Sequence, residues 1–359
     1  AQAKLNLFLR VLAREEEGHH QLETLFQRLA LGDDVRVRVG VAGRTLDCGG
    51  ADVGPVERNL AWRAALAYAA ATGWPDGFAI EIDKRIPVGG GLGGGSADAG
   101  GVLRCLNALA PAPLDAAELL ALAAPLGADV PFLTSEAALA LAWGRGERML
   151  ALPPLAPRRA HLALFRDGVA TAEAFAWLAE WRRRSGERPR PIVWTLERFG
   201  RWDDVAMVAS NDFERVVLPR REEIAEVREM FGSVARMLDT LEAEEARGGD
   251  VPAAGPDAGD DAAAAPGGSG DVVRDDDDDD DGDDGDGAAE GAGATPGDTQ
   301  PIVLMTGSGA TVFLLTPLAG IGVSFDVRPA DEGVAADDPP VRVIETRTAA
   351  RVAPVRRYG

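Results

Sequence analysis

The stretch that decides the fold is Pro87-Val88-Gly89-Gly90-Gly91-Leu92-Gly93-Gly94-Gly95-Ser96-Ala97-Asp98. Six glycines fall within seven residues, between a short apolar segment and a segment with helical periodicity. Glycine lets the backbone approach a ligand closely, and the loop N–H groups, together with the positive end of a following helix, suit an anionic phosphate. The loop is therefore predicted to hold a phosphate group. A flexible strand-to-helix turn is the alternative interpretation.

Two common phosphate-binding loops do not fit this stretch. Gly89, Gly91 and Gly94 match the spacing of the dinucleotide-binding pattern. However, the preceding strand is not the first of a strand–helix–strand unit, and no acidic residue ends a strand about 20 residues later. The loop with Gly-Lys-Ser/Thr needs a lysine after its last glycine, and this stretch has none. The glycine loop is therefore of a third kind.

The segments around the loop predict a mixed α+β chain. Alternating or short apolar runs predict strands at residues 4–11, 35–41, 78–82, 137–142, 161–165, 302–305, 310–315 and 322–327. Helical periodicity predicts helices at residues 60–72, 115–126, 171–183 and 221–241, and one after the loop with Ser96 as its N-cap. At about 150 residues per domain, the 359 residues indicate two domains. We place the boundary at Pro153-Pro154, with domains at 1–152 and 153–345 and a tail at 346–359.

The formal net charge of −21 is concentrated in one segment. Residues 242–298 contain 20 of the 58 acidic residues against only two arginines, so the rest of the chain is near −3. The segment is rich in Gly and Ala and lacks aromatic residues, which predicts a disordered insertion at 242–300. An EF-hand calcium loop starting at Asp277 is the alternative, but its twelfth position is Ala288 rather than Glu.

Composition argues against several classes of function. The acidic balance disfavours a nucleic-acid or anionic-membrane surface, although it allows anionic small molecules because most of the charge lies in the insertion. No apolar run reaches the length that crosses a bilayer. Cys48 and Cys105 are too few for a disulfide framework and indicate reduced thiols. We therefore expect a cytoplasmic monomer or homodimer with a small-molecule substrate and with no nucleic-acid or membrane partner.

Five motifs, in this order, carry a resemblance to a known family. They are Ala3-Lys4-Leu5-Asn6-Leu7-Phe8-Leu9; Gly18-His19-His20-Gln21-Leu22-Glu23-Thr24-Leu25-Phe26; the glycine loop; Leu126-Gly127-Ala128-Asp129-Val130-Pro131-Phe132; and Thr306-Gly307-Ser308-Gly309-Ala310. The chain resembles the GHMP kinases, which phosphorylate small molecules. Residues 144–147 and 210–214 show a weaker similarity to the same family. The resemblance implies a two-domain α+β GHMP kinase fold, with a ribosomal-protein-like N-terminal domain and a ferredoxin-like C-terminal domain.

The resemblance also implies the catalytic residues. Lys4 and Asn6 are two residues apart on a predicted strand, so their side chains leave the same face. In this family the matching residues line the active site, with the lysine near the reacting hydroxyl, and the residue that matches Asp129 is the catalytic acid/base. Lys4 would then stabilise charge on the transferred phosphoryl group. Without the resemblance, Lys4 is a solvated lysine and Asp129 caps a turn.

The resemblance is closest to the branch of the family whose acceptor is diphosphocytidyl methylerythritol, on a route to isoprenoid precursors. It implies that Asn6 and Thr171 help to bind this small-molecule substrate and that His20 reads the cytosine ring. His19 stands where that branch has a tyrosine that stacks on the ring, and imidazole is a smaller stacking surface. Phe175 matches the second stacking residue and is otherwise a core residue.

ATP and Mg²⁺ are the implied cofactors. The implied ATP-binding residues are Lys84, Pro87, Gly89, Gly90, Gly91, Leu92, Gly93, Gly94, Gly95 and Ser96. Ser96 would meet the β- and γ-phosphates or Mg²⁺, whereas Lys84 is equally well explained as a surface lysine. The turn at residues 306–310 is expected to close over the active site and to support the glycine loop.

Two further hypotheses stay open at this point. The first is a GHMP kinase of the homoserine or mevalonate type, which His19 supports. The second is a non-catalytic homologue that only binds ligands, against which the intact pair of Lys4 and Asp129 argues. The leading expectation is ATP-dependent phosphorylation of the 2-hydroxyl of diphosphocytidyl methylerythritol.

Overall fold

The computed structural model describes residues 1–15, 20–190, 192–248, 299–309, 311–318, 323, 325 and 341–358, and only the backbone of 242–248. The strands are β1 (Gln2–Arg14), β2 (His20–Gly32), β3 (Asp34–Val39), β4 (Arg44–Asp47), β5 (Phe78–Asp83), β6 (Leu139–Gly144), β7 (Arg148–Leu152), β8 (Arg158–Phe165), β9 (Ser210–Asn211), β10 (Ile302–Thr306), β11 (Thr311–Pro317) and β12 (Val341–Arg347). The helices are α1 (Leu60–Thr72), α2 (Gly94–Leu109), α3 (Ala116–Ala123), α4 (Val130–Thr134), α5 (Thr171–Ser185), α6 (Trp202–Val208), α7 (Glu214–Val217) and α8 (Glu222–Gly248). The chain is therefore a mixed α and β protein, as predicted.

The first sheet has the strand order β7-β6-β2-β1-β9 and carries the first motif on β1. β1 pairs antiparallel with β2 over most of its length and parallel with the short β9. Leu5 and Leu7 of β1 are fully buried, and so, to within a few per cent, are Lys4 and Asn6 on its other face. Because β1 is covered on both faces, Lys4 and Asn6 lie inside the protein rather than on a solvated face.

The second sheet has the order β10-β11-β8-β12, and its last strand was missed by the sequence patterns. β12 pairs antiparallel with β8, from Val341 opposite Phe165 to Arg347 opposite Arg159. The residues that follow bond to the first sheet, since the amide of Ala349 donates to the carbonyl of Arg28. The C-terminal residues therefore join the two sheets.

The third sheet, in the order β3-β5-β4, packs with the helices that bracket the glycine loop. α1 has the bounds predicted for it, because Asn59 caps its first turn and Gly73 ends it in the left-handed conformation. α2 begins at Gly94, with Gly93 as its N-cap in the left-handed region (φ 75°). The prediction of Ser96 as the N-cap is therefore wrong: the glycines form the first turn, and Ser96 is the third helical residue.

One hydrophobic core connects the first two sheets. It contains Leu5 and Phe26 from the first sheet together with Leu162 and Phe313 from the second. The boundary predicted at residues 152 and 153 falls between β7 and β8, which belong to different sheets. The division into two domains stays a prediction, and the shared core means that the two sheets pack directly on each other.

Several other predictions differ from the structure in their bounds. β2, β4 and β7 were missed, and the helix predicted at 115–126 is shorter, because Asp115 is its N-cap and residues 124–126 form a 3-10 turn. The predicted insertion begins too early: α8 continues to Gly248 through Glu, Ala and Arg residues, which favour helix. Residues 249–298 of that insertion and most of the strand predicted at 322–327 lie outside the described residues.

A close approach between α2 and α4 leads to a stability prediction. A Cβ added at Gly100 would lie 2.6 Å from the backbone carbonyl of Leu133, whereas one at Gly101 would meet only side-chain atoms at 3.4 Å or more. We expect Gly100→Ala to lower the free energy of unfolding by about 1–3 kcal/mol through overpacking. Gly101→Ala should leave stability unchanged or raise it by up to about 1 kcal/mol, because alanine favours helix. Urea denaturation of both variants tests this, and equal effects would contradict it.

In the part of the chain that the structure describes, no helix combines the length and the apolar character that a membrane span requires.

Candidate active site

A cavity of about 1220 Å³ brings together residues that are far apart in the sequence. The predicted site residues that line it are Lys4, Asn6, His20, Gly89, Gly91, Gly93, Gly94, Gly95, Ser96, Asp129, Thr171 and Phe175. They come from β1, β2, the glycine loop, the residue before α4 and the start of α5. The structure therefore collects most of the predicted site into one cleft.

Lys4 is the centre of the polar contacts at the base of the cavity. Its Nζ donates to the Oδ1 of Asn6 at 2.8 Å and to the carbonyl of Gly91 at 3.0 Å, and it lies 3.4 Å from the Oδ2 of Asp129. The Lys4 side chain is 4% exposed and that of Asp129 is 28% exposed. The carboxylate of Asp129 makes no capping bond to α4, so it faces Lys4 and the cavity instead of capping a turn.

Asn6 connects three separate segments beside Lys4. Its Nδ2 donates to the hydroxyl of Thr24 at 2.7 Å, and its Oδ1 accepts from the amide of Gly307 at 3.2 Å. Its backbone amide donates to the hydroxyl of Thr306 at 3.1 Å. Because these groups are buried, their hydrogen bonds hold the Asn6 amide in one orientation and thereby orient Lys4.

The glycine loop presents backbone donors to the cavity. The first residues of α2, Gly94 to Ser96, have amide groups with no acceptor within the helix, as in any helix N-terminus. No acidic residue occupies the first turn of α2, so the positive end of the helix is not neutralised there. The loop is thus suited to an anion, as predicted from its glycines.

The remaining loop residues support the loop from behind. Leu92 is buried in the core, and its carbonyl accepts from the amide of Lys4 at 2.9 Å. The carbonyl of Gly90 accepts from the hydroxyl of Thr311 at 2.6 Å. A Cβ at Gly91 would lie 3.2 Å from the carbonyl oxygen of Thr306. Pro87, Gly90 and Leu92 therefore do not line the cavity, and the loop rests on β1 and on the turn after β10.

Lys84 lies behind the loop in a buried ionic cluster. Its Nζ is 2.5 Å from Asp33 and 2.7 Å from Asp98, and its side chain is 9% exposed. The Oδ1 of Asp33 accepts from the amides of Arg85 and Ile86. Lys84 is therefore not a surface lysine: it ties β5 to α2 and does not line the cavity, and its contact with ATP stays a prediction.

Asp98 is the most strongly perturbed member of this cluster. Burial raises its pKa to about 7, although Lys84 acts in the opposite direction. Its second oxygen, Oδ1, is buried and has no hydrogen-bond partner among the described residues. The cluster is therefore held by Lys84, which is shared between two buried carboxylates.

His20 and Phe175 form a ring pair at one end of the cavity. Their centroids are 4.0 Å apart with 12° between the ring planes, and Phe175 also meets Phe213 edge-to-face at 4.9 Å. The two residues that the resemblance assigned to the cytosine ring are thus in direct contact. His19 lies outside the described residues, so its predicted stacking role stays a prediction.

Some residues that shape the cavity were missed. Thr24 was overlooked because β2 was not predicted, and Ser308, whose hydroxyl is 2.9 Å from that of Thr171, lies in the fifth motif. Asn211 donates to the carbonyls of Met305 and Gly307, which holds the turn at residues 306–309. The weak family similarity at residues 210–214 was the sequence signal that could have pointed to Asn211. Ala310 lies outside the described residues.

Charged residues from the turn between β6 and β7 also line the cavity. They are Arg145, Glu147 and Arg148, with Glu15 from the end of β1. The Nε of Arg145 donates to Glu15 at 2.8 Å. The weak family similarity at residues 144–147 pointed to this turn without assigning it a role.

Within the described ranges, no group of three or more His, Cys, Asp or Glu side chains is close enough together to hold a metal ion. Ser96 is the one residue proposed for Mg²⁺, and its side chain borders the cavity at the start of α2. Mg²⁺ usually keeps several waters and binds substrate phosphates with only one or two protein oxygens. A hydroxyl beside a phosphate loop therefore fits this kind of site.

Comparison with known proteins agrees with this geometry. The family model for the GHMP kinases N terminal domain matches residues 59–136, which include the glycine loop and Asp129. A 4-diphosphocytidyl-2-C-methyl-D-erythritol kinase from Halorhodospira halophila is 39% identical over 246 residues, which are 67% of this chain and 80% of that protein. The chain belongs to the GHMP kinase family. Another kinase of the same name, from Paraburkholderia phytofirmans, is 41% identical over 238 residues, 66% of this chain and 79% of that protein.

A solved structure supports the same assignment for this GHMP kinase. The crystal structure of a 4-(cytidine 5'-diphospho)-2C-methyl-D-erythritol kinase aligns with a TM-score of 0.56 and 31% identity, over 88% of each chain. The GHMP kinase fold implied by the motifs is therefore shared with this solved structure. The motifs that carried the resemblance are also the segments that meet in the cavity.

Proposed function

We propose that this GHMP kinase transfers the γ-phosphoryl group of ATP to the 2-hydroxyl of 4-diphosphocytidyl-2-C-methyl-D-erythritol, in the methylerythritol phosphate route to isoprenoid precursors. The observation that carries the proposal is a single cleft with the Lys4–Asp129 pair near the glycine loop and an aromatic pair at the cavity wall. The kinases with which the chain shares 37–47% identity carry the name of this reaction.

The glycine loop holds the triphosphate in this proposal. Phosphoryl transfer has a loose transition state with charge on the peripheral oxygens, so catalysis is mainly positioning and electrostatic stabilisation. The amides at the start of α2 donate to the phosphate oxygens, and the helix dipole favours their charge. Mg²⁺, held by the phosphates and the Ser96 hydroxyl, would neutralise further charge on the triphosphate.

Asp129 orients the acceptor hydroxyl and accepts its proton as the bond to phosphorus forms. Its carboxylate is partly exposed to the cavity, so a substrate hydroxyl can reach it. Lys4 is fixed by three partners and lies on the same side of the cavity, where it stabilises charge on the moving phosphoryl group. The intact pair argues against a homologue that only binds ligands.

The aromatic pair would bind the cytosine ring. At a separation of 4.0 Å no base fits between His20 and Phe175, so one of the rings must turn aside when the base stacks. The base can still stack on one ring after the other has turned aside, because each ring presents a flat π-face. An imidazole can in addition donate or accept a hydrogen bond at the edge of the base.

The ring of Phe175 leads to a prediction about substrate affinity. We expect Phe175→Ala to raise KM for the diphosphocytidyl substrate by about 10-fold or more, because stacking of a base on an aromatic ring is worth about 1–3 kcal/mol. The KM for ATP should stay within about twofold. Phe175→Tyr keeps the ring and serves as the control. An equal rise in both KM values would indicate a folding defect rather than lost stacking.

The product identifies the reaction directly. ³¹P NMR of the product formed from ATP and the diphosphocytidyl substrate should show one new phosphomonoester on the 2-hydroxyl, with the diphosphate intact. A phosphate on another hydroxyl, or no new resonance, would contradict the proposal.

A further inference from the structure

A second cavity, of about 870 Å³, lies beside the first and takes no part in the chemistry above. It is formed by the end of α5, the segment between α5 and α6, the end of α6 and β9. Asn211 lines this cavity and also donates to the carbonyl of Gly307, which lines the first one. The two cavities therefore share a wall and have different linings.

The lining of the second cavity is strongly basic. Its arginines are Arg10, Arg182, Arg188, Arg190, Arg198 and Arg215, and its acidic residues are Glu187 and Asp212. Arg182 pairs with Asp212 at 2.9 Å and Arg215 with Glu187 at 2.6 Å, while Arg10 pairs with Glu23. These three ion pairs occupy the carboxylates that lie at or near the cavity.

Three guanidinium groups at the cavity have no anionic partner among the described residues. In the portion of the chain that is described, the side chains of Arg188, Arg190 and Arg198 make no ion pair or hydrogen bond. Burial lowers the pKa of Arg182 on the same wall, Asp212 acts in the opposite direction, and Arg215 adds to the lowering. The protein therefore leaves excess positive charge at a concave surface, where field lines are focused.

Apolar and aromatic groups lie among these arginines. Trp181 and Trp194 line the cavity, and the side chains of Val193 and Met207 are 87% and 72% exposed. Apolar groups that gather in one concave place with polar residues around them are typical of ligand-binding grooves. The combination suits a ligand with both an anionic and an apolar part.

We propose that this arginine cavity binds a small molecule that carries two or more phosphate groups on an apolar or aromatic body. Guanidinium groups match the geometry of phosphate oxygens in bidentate pairs, which favours phosphate over a single carboxylate when several arginines converge. The indole rings of Trp181 and Trp194 and the exposed side chain of Val193 cover the apolar part of the ligand. The volume of the cavity suits a ligand of that size.

Calorimetry with inorganic diphosphate tests the site on the full chain. Diphosphate can also enter the catalytic cleft, which Arg188 and Arg198 do not line, so the arginine cavity is reported by the binding that the wild type shows and a variant of these two arginines loses. We expect Arg188→Gln/Arg198→Gln to lose one equivalent of bound diphosphate, or to bind that equivalent about 10-fold or more weakly. The control, Arg183→Gln/Arg342→Gln, removes the same charge at exposed arginines that do not line the cavity. It should bind within about twofold of wild type.

Two further readouts keep the result independent of variant folding. The Arg188→Gln/Arg198→Gln variant should keep its kinase activity, because neither arginine touches the catalytic cleft. On the wild-type chain, diphosphate should protect Arg188 and Arg198, but not Arg183, from modification by phenylglyoxal as read by mass spectrometry. Phenyl diphosphate should bind more tightly than inorganic diphosphate. No binding beyond the catalytic cleft, equal weakening in the control, or uniform protection would overturn the proposal.

Discussion

Asp129→Asn is expected to lower kcat by about 10²- to 10⁴-fold, the range for removal of a general base. Asparagine keeps the shape of the side chain but cannot take the proton of the acceptor hydroxyl. Because Asp129 makes no capping bond to α4 and is partly exposed, the fold should be kept, with some loss of stability because the buried Lys4 loses its anionic partner. KM for ATP should change little, since the glycine loop binds the phosphates elsewhere in the cleft.

A matched control separates loss of the base from a general effect of the substitution. Asp115→Asn makes the same chemical change at the N-cap of α3, where asparagine caps as well as aspartate. This variant should keep wild-type kcat. If Asp129→Asn keeps kcat within about threefold of wild type in an ADP-release assay, Asp129 is not the base.

Lys84→Met is expected to cause the largest loss of stability, about 3–5 kcal/mol in the free energy of unfolding. The substitution leaves Asp33 and Asp98 buried without the cation that lies 2.5 and 2.7 Å from them. Breaking a buried pair by removing one partner costs more than the pair contributes, because the remaining charge stays desolvated. Urea denaturation measures this loss.

The loss should depend on pH. The folded-state pKa of Asp98 is about 7, above its ordinary value of 3.8, so the folded protein binds more protons than the unfolded chain between these values. This group therefore lowers stability as pH rises through that window. Without Lys84 the pKa of Asp98 rises further, and the gap between wild type and Lys84→Met should widen from pH 6 to pH 8. A gap that narrows over that range would contradict this account.

Arg85→Met is the control, because it removes a basic side chain at the adjacent position. Arg85 is 55% exposed and pairs with Asp34 and Asp83 at the surface, where ion pairs are screened. The Arg85 variant should unfold close to the wild-type midpoint. An effect as large as that of Lys84→Met would show that burial of the cluster is not the cause.

Local patterns predicted the elements that obey one simple rule. α1 has a capping Asn59 and a terminal Gly73, and its bounds were read correctly. β2 was missed because it is a central strand that buries polar residues: Gln27 and Arg28 interrupt the apolar pattern, and Arg28 donates to three carbonyls from other segments. β12 was missed because it is half exposed and alternates with charged residues.

The residues of the candidate site also differ in how far the sequence predicts them. The glycine loop was predicted from its own residues, whereas Lys4, Asn6 and Asp129 were placed in the candidate site only by the resemblance to a family, because the local pattern alone favours a solvated Lys4 and a turn-capping Asp129. The role of Lys84 depends on Asp33, 51 residues away, and on Asp98, and no local pattern reports such pairing.

The most direct test of the central claim is the rate of ADP release with different acceptors under one set of conditions. The acceptors are diphosphocytidyl methylerythritol, homoserine and mevalonate, each with ATP and Mg²⁺. We predict that kcat/KM for the diphosphocytidyl substrate exceeds that for the other two by at least about 10³-fold, because a site built to hydrogen-bond and stack the base leaves those groups unpaired with smaller acceptors. Equal or faster turnover of homoserine or mevalonate would contradict the assignment of the acceptor.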